Sequence, residues 1–229
     1  MSDRSPFRRG VADGLPFILV MAPFGALFGV LATEAGLPLD QTMAFSALVI
    51  AGASQFTAIS LMEQGAPTAI VVLSALAVNL RMVMYSAALV PHLGPAPPWQ
   101  RAVAAYLLVD QTYALAATRF ESDPTPPVGA KMAYFAGTAL PVFPAWVGAT
   151  WAGAALGARM PETWPLDFAM PLAFVALVGP MLKSPAHVAA AFVSVAGAVA
   201  LSWVPWNLGL LLAAAAAMAV GAEIERRLA

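Results

Sequence analysis

The sequence predicts an all-α polytopic integral membrane protein with about eight transmembrane helices. Of its 229 residues, 61% are hydrophobic and only 10% are charged, against roughly 45–50% and about 25% in soluble domains. Apolar runs of roughly 20 residues, the length that crosses a hydrocarbon core, recur along the whole chain. They are continuous rather than alternating, which argues against a β-barrel. A mean hydropathy of +0.79 leaves membrane lipid as the medium that covers most of the exterior.

The first run follows Arg4, Arg8 and Arg9 and is broken by Pro16 and Pro23. It is too long for a signal-peptide core and lacks a small-x-small cleavage site, so it reads as a first spanning helix at about 13–33. Further spans fall at about 41–62, 68–90, 101–119, 131–157, 166–182, 186–203 and 206–222. Turn chemistry separates them: Gly36-Leu37-Pro38, Gly65-Ala66-Pro67, Gly94-Pro95-Ala96-Pro97-Pro98, Pro124-Thr125-Pro126-Pro127, Met160-Pro161 and Ser184-Pro185. The last two spans meet at Trp203-Val204-Pro205-Trp206, an interfacial aromatic pair.

Lys and Arg concentrate on cytoplasmic loops of membrane proteins. With eight spans, the N-terminal side holds Arg4, Arg8, Arg9, Arg119, Lys131, Lys183, Arg226 and Arg227, and the other side only Arg101 and Arg159. Both termini are therefore expected in the cytoplasm. The chain reads as one transporter domain, 1–229, with candidate halves 13–119 and 131–222. Pro38-Leu39-Asp40, Met43 and Gly52 recur as Pro165-Leu166-Asp167, Met170 and Gly179. The first helix of each half is rich in proline and glycine, and Pro23, Gly25, Pro144 and Gly148 are the expected helix-break positions, because paired broken helices frame transporter sites.

Three polar clusters sit where lipid is expected: Gly52-Ala53-Ser54-Gln55, Asn79-Leu80-Arg81 and Asp110-Gln111-Thr112. A charge at the bilayer centre costs about 2.5–3.5 kcal/mol on insertion scales, so Arg81 and Asp110 need a partner or a task. In an antiparallel hairpin the two lie level, roughly 13–14 Å below the surface. Such a pair offers an anion site and a cation site to a zwitterion; it also serves as a purely structural ion pair. Asn79, Gln55, Ser54 and Thr112 complete the candidate substrate-binding set, each weighed against a role as interhelical hydrogen-bond glue.

The order of these clusters resembles the AzlC family, the large-subunit type of branched-chain amino acid exporters. The resemblance runs from Gly14-Leu15-Pro16 and Pro23-Phe24-Gly25 through Ala51-Gly52-Ala53-Ser54-Gln55-Phe56, Val78-Asn79-Leu80-Arg81, Tyr85-Ser86 and Asp110-Gln111-Thr112-Tyr113-Ala114 to Leu166-Asp167-Phe168-Ala169-Met170-Pro171. Gln111 and Met82 depart from the family pattern, which more often shows an acidic residue and a histidine there. The resemblance implies export of hydrophobic amino acids such as valine, leucine and isoleucine, together with a small membrane subunit of the AzlD type. It also implies a bacterial inner-membrane location.

Other classes fare worse. A net charge of −1 without a basic stripe gives no nucleic-acid footprint. The chain has no cysteine, and its two histidines, His92 and His187, fall in separate predicted loops, so neither a metal nor another cofactor is expected. No Gly-x-x-x-x-Gly-Lys-Ser/Thr loop is present to bind ATP, which leaves an ion or substrate gradient as the energy source. An intramembrane hydrolase using Asp110 with Ser54 or Ser86 lacks a recognisable nucleophile–base constellation, so the chain is not read as an enzyme. A passive channel subunit remains the other alternative.

Overall fold

A computed structural model describes residues 5–157, 182, 184–205 and 208–228. Among these residues all regular elements are helices: α1 (Pro6–Gly14), a 3-10 turn (Leu15–Phe17), α2 (Ile18–Glu34), α3 (Leu39–Leu48), α4 (Gly52–Glu63), α5 (Thr68–Leu93), α6 (Pro98–Tyr106), α7 (Asp110–Ser122), α8 (Val128–Gly157), α9 (Pro185–Ala200) and α10 (Leu208–Leu228). Four stretches are long and apolar enough to cross a membrane: Pro6–Glu34, Thr68–Leu93, Val128–Gly157 and Leu208–Arg227. The chain divides into two compact units, Met1–Phe56 with Val78–Pro161 and Thr57–Ala77 with Glu162–Ala229.

In the first unit, α1 and α2 run parallel to α8 along nearly its whole length. Gly10 lies against Tyr134, Gly14 against Thr138 and Pro141, Gly25 against Trp146, and Gly29 against Thr150. A Cβ on Gly29 would overlap the Thr150 carbonyl, and one on Gly153 would overlap the Ala26 carbonyl. Lipid tails are as apolar as leucine, so helices in a membrane associate through such backbone-to-backbone packing.

This packing corrects the expected helix breaks. Pro23 lies inside α2 and Pro144 inside α8, both continuous helices. Gly25 is a packing glycine, and a Cβ on Gly148 would meet only open space. A proline removes one backbone hydrogen bond, a loss that a membrane helix flanked by neighbours absorbs without breaking.

The breaks lie elsewhere, and they change the path of the chain. α3 ends at Leu48 and Val49 leaves the helix at φ −126°, ψ 89°. Phe45 and Phe56, on either side of this break, pack on the same ring, with centroids 5.5 and 6.2 Å from that of Phe28. In one straight helix those two residues would stand roughly 16 Å apart along the axis. The chain therefore folds back at residues 49–51.

α6 and α7 do the same around residues 107–109. α7 follows α5 in parallel: Arg81 meets Asp110, Tyr85 stacks on Tyr113, and His92 reaches Phe120. Against α8 it is antiparallel, with Phe120 near Tyr134 and Thr112 sharing a cavity with Ala139 and Val142. α6 reverses out of α5, enters as far as Tyr106, and α7 returns to the end it came from.

The predicted spans 41–62 and 101–119 are thus interrupted segments that turn back at their breaks. The antiparallel pairing expected of the helices bearing Arg81 and Asp110 is replaced by a parallel one. α3 follows the end of α2 through a turn whose Gly36 takes φ +80°, whereas α6 starts at the end of the unit where α1 starts. The two hairpins enter from opposite ends. Arg101, expected opposite the N-terminus, lines a recess with Gly94 and Pro95, at the end that also holds Arg9, Arg119 and Lys131.

In the second unit α9 and α10 pair antiparallel, with Gly197 against Ala213, Gly209 against Leu201 and Gly221 against Ala190. Ser184 caps α9 by accepting the His187 N–H at 3.2 Å. Both histidines lie in helices rather than loops, His92 in the last turn of α5 and His187 in the first of α9. The span drawn at 166–182 lies outside the described residues apart from Leu182, and so do Pro165-Leu166-Asp167, Met170 and Gly179, the residues on which the proposed repeat rests.

Candidate functional site

Two of the three polar clusters that look misplaced in the sequence are helix N-termini. Gly52-Ala53-Ser54-Gln55 opens α4 and Asp110-Gln111-Thr112 opens α7. The Ser54 hydroxyl donates to the Ala51 carbonyl at 3.0 Å and accepts from Asn79 Nδ2 at 3.1 Å. The Thr112 hydroxyl accepts the Val109 N–H at 2.9 Å and lies 3.0 Å from the carbonyls of Leu107 and Val109. Thr112 thereby satisfies an N–H left free where α7 starts, whereas Ser54 ties the start of α4 to Asn79 of α5.

The two breaks meet. Tyr106, the last residue of α6, donates its hydroxyl to the Ala47 carbonyl near the end of α3. Ile50 of one break and Leu107 and Val109 of the other line a cavity of about 10 Å³ against Val142 and Phe143 of α8. That space holds a water at most. These residues fall near the middle of the 30-residue helix α8, and so at mid-depth.

α5 carries the third cluster to this junction. Asn79 reaches Ser54 at the first break, and Arg81 Nη1 lies 3.2 Å from Asp110 Oδ2 at the second. Asp110 is the acidic residue in the first turn of α7, whose positive end favours its carboxylate. α4 has no acidic residue in its first turn, so its positive end has no such compensation. One helical turn beyond the pair, Tyr85 and Tyr113 stack with centroids 4.1 Å apart.

Hydrogen bonding at this junction is incomplete. Both polar atoms of Gln55, Asn79 Oδ1, Arg81 Nε and Asp110 Oδ1 are buried without a protein partner, and Gln55 is 0% exposed. Most buried polar atoms in proteins are paired, so a group of unpaired ones at one place sets this junction apart from the surrounding packing. The Arg81 and Asp110 side chains still keep 31% and 39% of their surface exposed. Facing lipid, that exposure would carry the cost of intramembrane charge.

Of the sequence-predicted substrate set, Arg81, Asp110, Asn79, Gln55 and Ser54 come together here. Thr112 sits beside them, its hydroxyl committed to closing the second break. Pro23, Gly25, Pro144 and Gly148 do not supply the helix ends. Sequence reasoning missed Tyr85 and Tyr113 as the wall beside the ion pair; their i+4 and i+3 spacing from Arg81 and Asp110 was the available signal. A cavity of about 740 Å³ between α5 and α6, lined by Leu89, Leu93, Ala104 and Phe135, ends inward at Leu108 of the second break.

Opposed hairpins whose inner helix N-termini meet at mid-depth define an α-helical membrane protein with a central polar site, the arrangement that transporters use. The chain belongs to the AzlC family: the family model described as AzlC protein matches residues 16–160. It is 32% identical over 227 residues to an uncharacterized membrane protein of Archaeoglobus fulgidus, covering 96% of this chain and 94% of that one. It is 27% identical over 207 residues to the inner membrane protein YgaZ of Escherichia coli, covering 87% and 83%. No solved structure matches. The family and these relatives place the chain among membrane proteins.

Proposed function

We propose that this chain is the large subunit of a gradient-driven exporter of branched-chain or other hydrophobic amino acids. The observation that carries this reading is the cluster of unpaired buried polar atoms where the N-termini of α4 and α7 meet. A zwitterion leaving water must exchange its hydration for fixed partners of opposite sign. Arg81, Asn79 and the uncompensated end of α4 serve the carboxylate, Asp110 serves the ammonium, and Gln55 orients both. The apolar side chain of the substrate suits the recess that ends at Leu108. Substrate opens the Arg81–Asp110 pair, which closes again when the site empties.

A small AzlD-type subunit is the partner we assign to the exposed side of the pair. α5 beside it is largely uncovered, with Leu76, Leu80 and Val83 about 60% exposed. We place the protein in the bacterial inner membrane with both termini cytoplasmic. Arg8, Arg9, Arg101, Arg119 and Lys131 mark one end of the first unit, and Arg226 and Arg227 end α10. The test is efflux from cells loaded with each amino acid as a dipeptide, with and without this chain and a co-expressed small subunit. Saturable efflux of valine, leucine and isoleucine that shows counterflow is the expected result. Unsaturable flux without counterflow would mean a channel.

A further inference from the structure

Three cations from three helices meet in a recess that the transport reading does not use. Arg9 of α1, Arg119 of α7 and Lys131 of α8 line a cavity of about 220 Å³. Lys131 is 8% exposed, yet its ammonium donates only to the Pro124 carbonyl, at 2.9 Å, and faces the Phe120 ring at 5.8 Å. A neutral carbonyl and a ring face do not neutralise a buried charge.

The carboxylates nearby are already engaged. Asp123 accepts the Thr125 hydroxyl at 2.6 Å and lies 3.4 Å from Arg119. The Thr125 hydroxyl and amide, with the charges of Arg119 and Lys131, hold its carboxyl below the ordinary range. Asp13 accepts the Tyr134 hydroxyl at 2.8 Å. Against three lining cations the recess sets one lining carboxylate, so a surplus of positive charge remains.

We propose that this recess binds a phosphate group, held by Arg9, Arg119 and Lys131. Arginine forks match pairs of phosphate oxygens, and lysine adds a point charge. The recess lies where the spans Pro6–Glu34 and Val128–Gly157 begin, which is the depth of lipid headgroups. The first turns of α1 carry Arg8 and Arg9 together with the 40%-exposed Phe7, basic and aromatic groups suited to the interfacial end of a span. An anionic phospholipid and a soluble phosphate share this chemistry, and the experiment separates them.

The full chain, purified in neutral detergent and delipidated, is titrated with phosphatidylglycerol, with phosphatidylcholine and with inorganic phosphate. Native mass spectrometry counts bound lipid, and thermal unfolding reports protection. Phosphatidylglycerol should bind at least about fivefold more tightly than phosphatidylcholine, and Arg9→Gln or Arg119→Gln should each weaken it about fivefold. Protection by inorganic phosphate at millimolar concentration that Arg9→Gln removes assigns the site to a soluble phosphate instead of a lipid. Equal binding of the two lipids with no protection by phosphate overturns the proposal. So does undiminished binding by both variants.

Discussion

Replacing Arg81 by lysine separates a substrate-binding pair from a structural one. Arg81 spends one nitrogen on Asp110, Nη1 to Oδ2 at 3.2 Å, and its buried Nε has no protein partner. A lysine ammonium keeps the charge that neutralises Asp110 but cannot present the fork. Loss of one charge-assisted hydrogen bond to a carboxylate is worth about 1.5–3 kcal/mol, or about ten- to 150-fold in transport efficiency. The assay is the initial rate of efflux from preloaded cells at several internal concentrations, with membrane levels measured by immunoblot. Efflux by Arg81→Lys within about twofold of wild type at normal levels would refute the binding role and leave a structural ion pair. The reversed pair, Arg81→Asp with Asp110→Arg, is a harsher test. It sets a cation at the positive end of α7, at a penalty of about 0.3–1 kcal/mol, and full efflux from it would refute the role as well.

The remaining predictions test the fold around the site. The chain has no cysteine, so single cysteines report sidedness: Pro97→Cys and Ser122→Cys should react with an impermeant maleimide from the same face, and Gln41→Cys from the other. Reaction of Pro97→Cys and Ser122→Cys from opposite faces would restore α6 and α7 as one through-going span. Gly153→Ala drives a Cβ into the Ala26 carbonyl and should lower stability in detergent by about 1–3 kcal/mol, seen as a lower unfolding temperature. An unchanged temperature would mean that α2 and α8 are not packed backbone to backbone. Thr112→Ala should cost about 1 kcal/mol of stability while Thr112→Ser holds it. If Thr112→Ala instead left stability untouched and raised only KM, the hydroxyl would belong to the substrate.

Much of the molecule was legible in its residues. Composition assigns it to lipid, because no water-soluble surface can be made from so few charges, and the polar clusters stand out because intramembrane polarity is expensive. The positions of Arg81 and Asp110, each counted from the nearest turn, set them level, and they are level. The path was not legible. Hydropathy sums composition and carries no direction, so an apolar segment that enters and turns back scores like one that crosses. The turns at residues 49–51 and 107–109 hold neither proline nor glycine, whereas the prolines that attract notice, Pro23 and Pro144, sit in unbroken helix. A weak signal existed in the capping chemistry, an aspartate opening α7 with a threonine two residues on, but mid-span it reads as a binding motif.

By itself, the sequence determined the medium, the helical class, the family and the identity of the polar residues, since each depends on local chemistry that any fold of this chain must satisfy. Only the tertiary structure decided that two of the apolar segments are opposed hairpins. It also decided that Gly25, Gly29 and Gly153 of α2 and α8 are packing contacts and that two of the polar clusters are helix N-termini meeting at one depth. The physical reason is that chain reversal inside a membrane is stabilised by neighbours distant in sequence. Phe28 takes both Phe45 and Phe56, Tyr106 takes the Ala47 carbonyl, and α5 sets Asn79 against Ser54 and Arg81 against Asp110. None of those partners exists until the chain has folded.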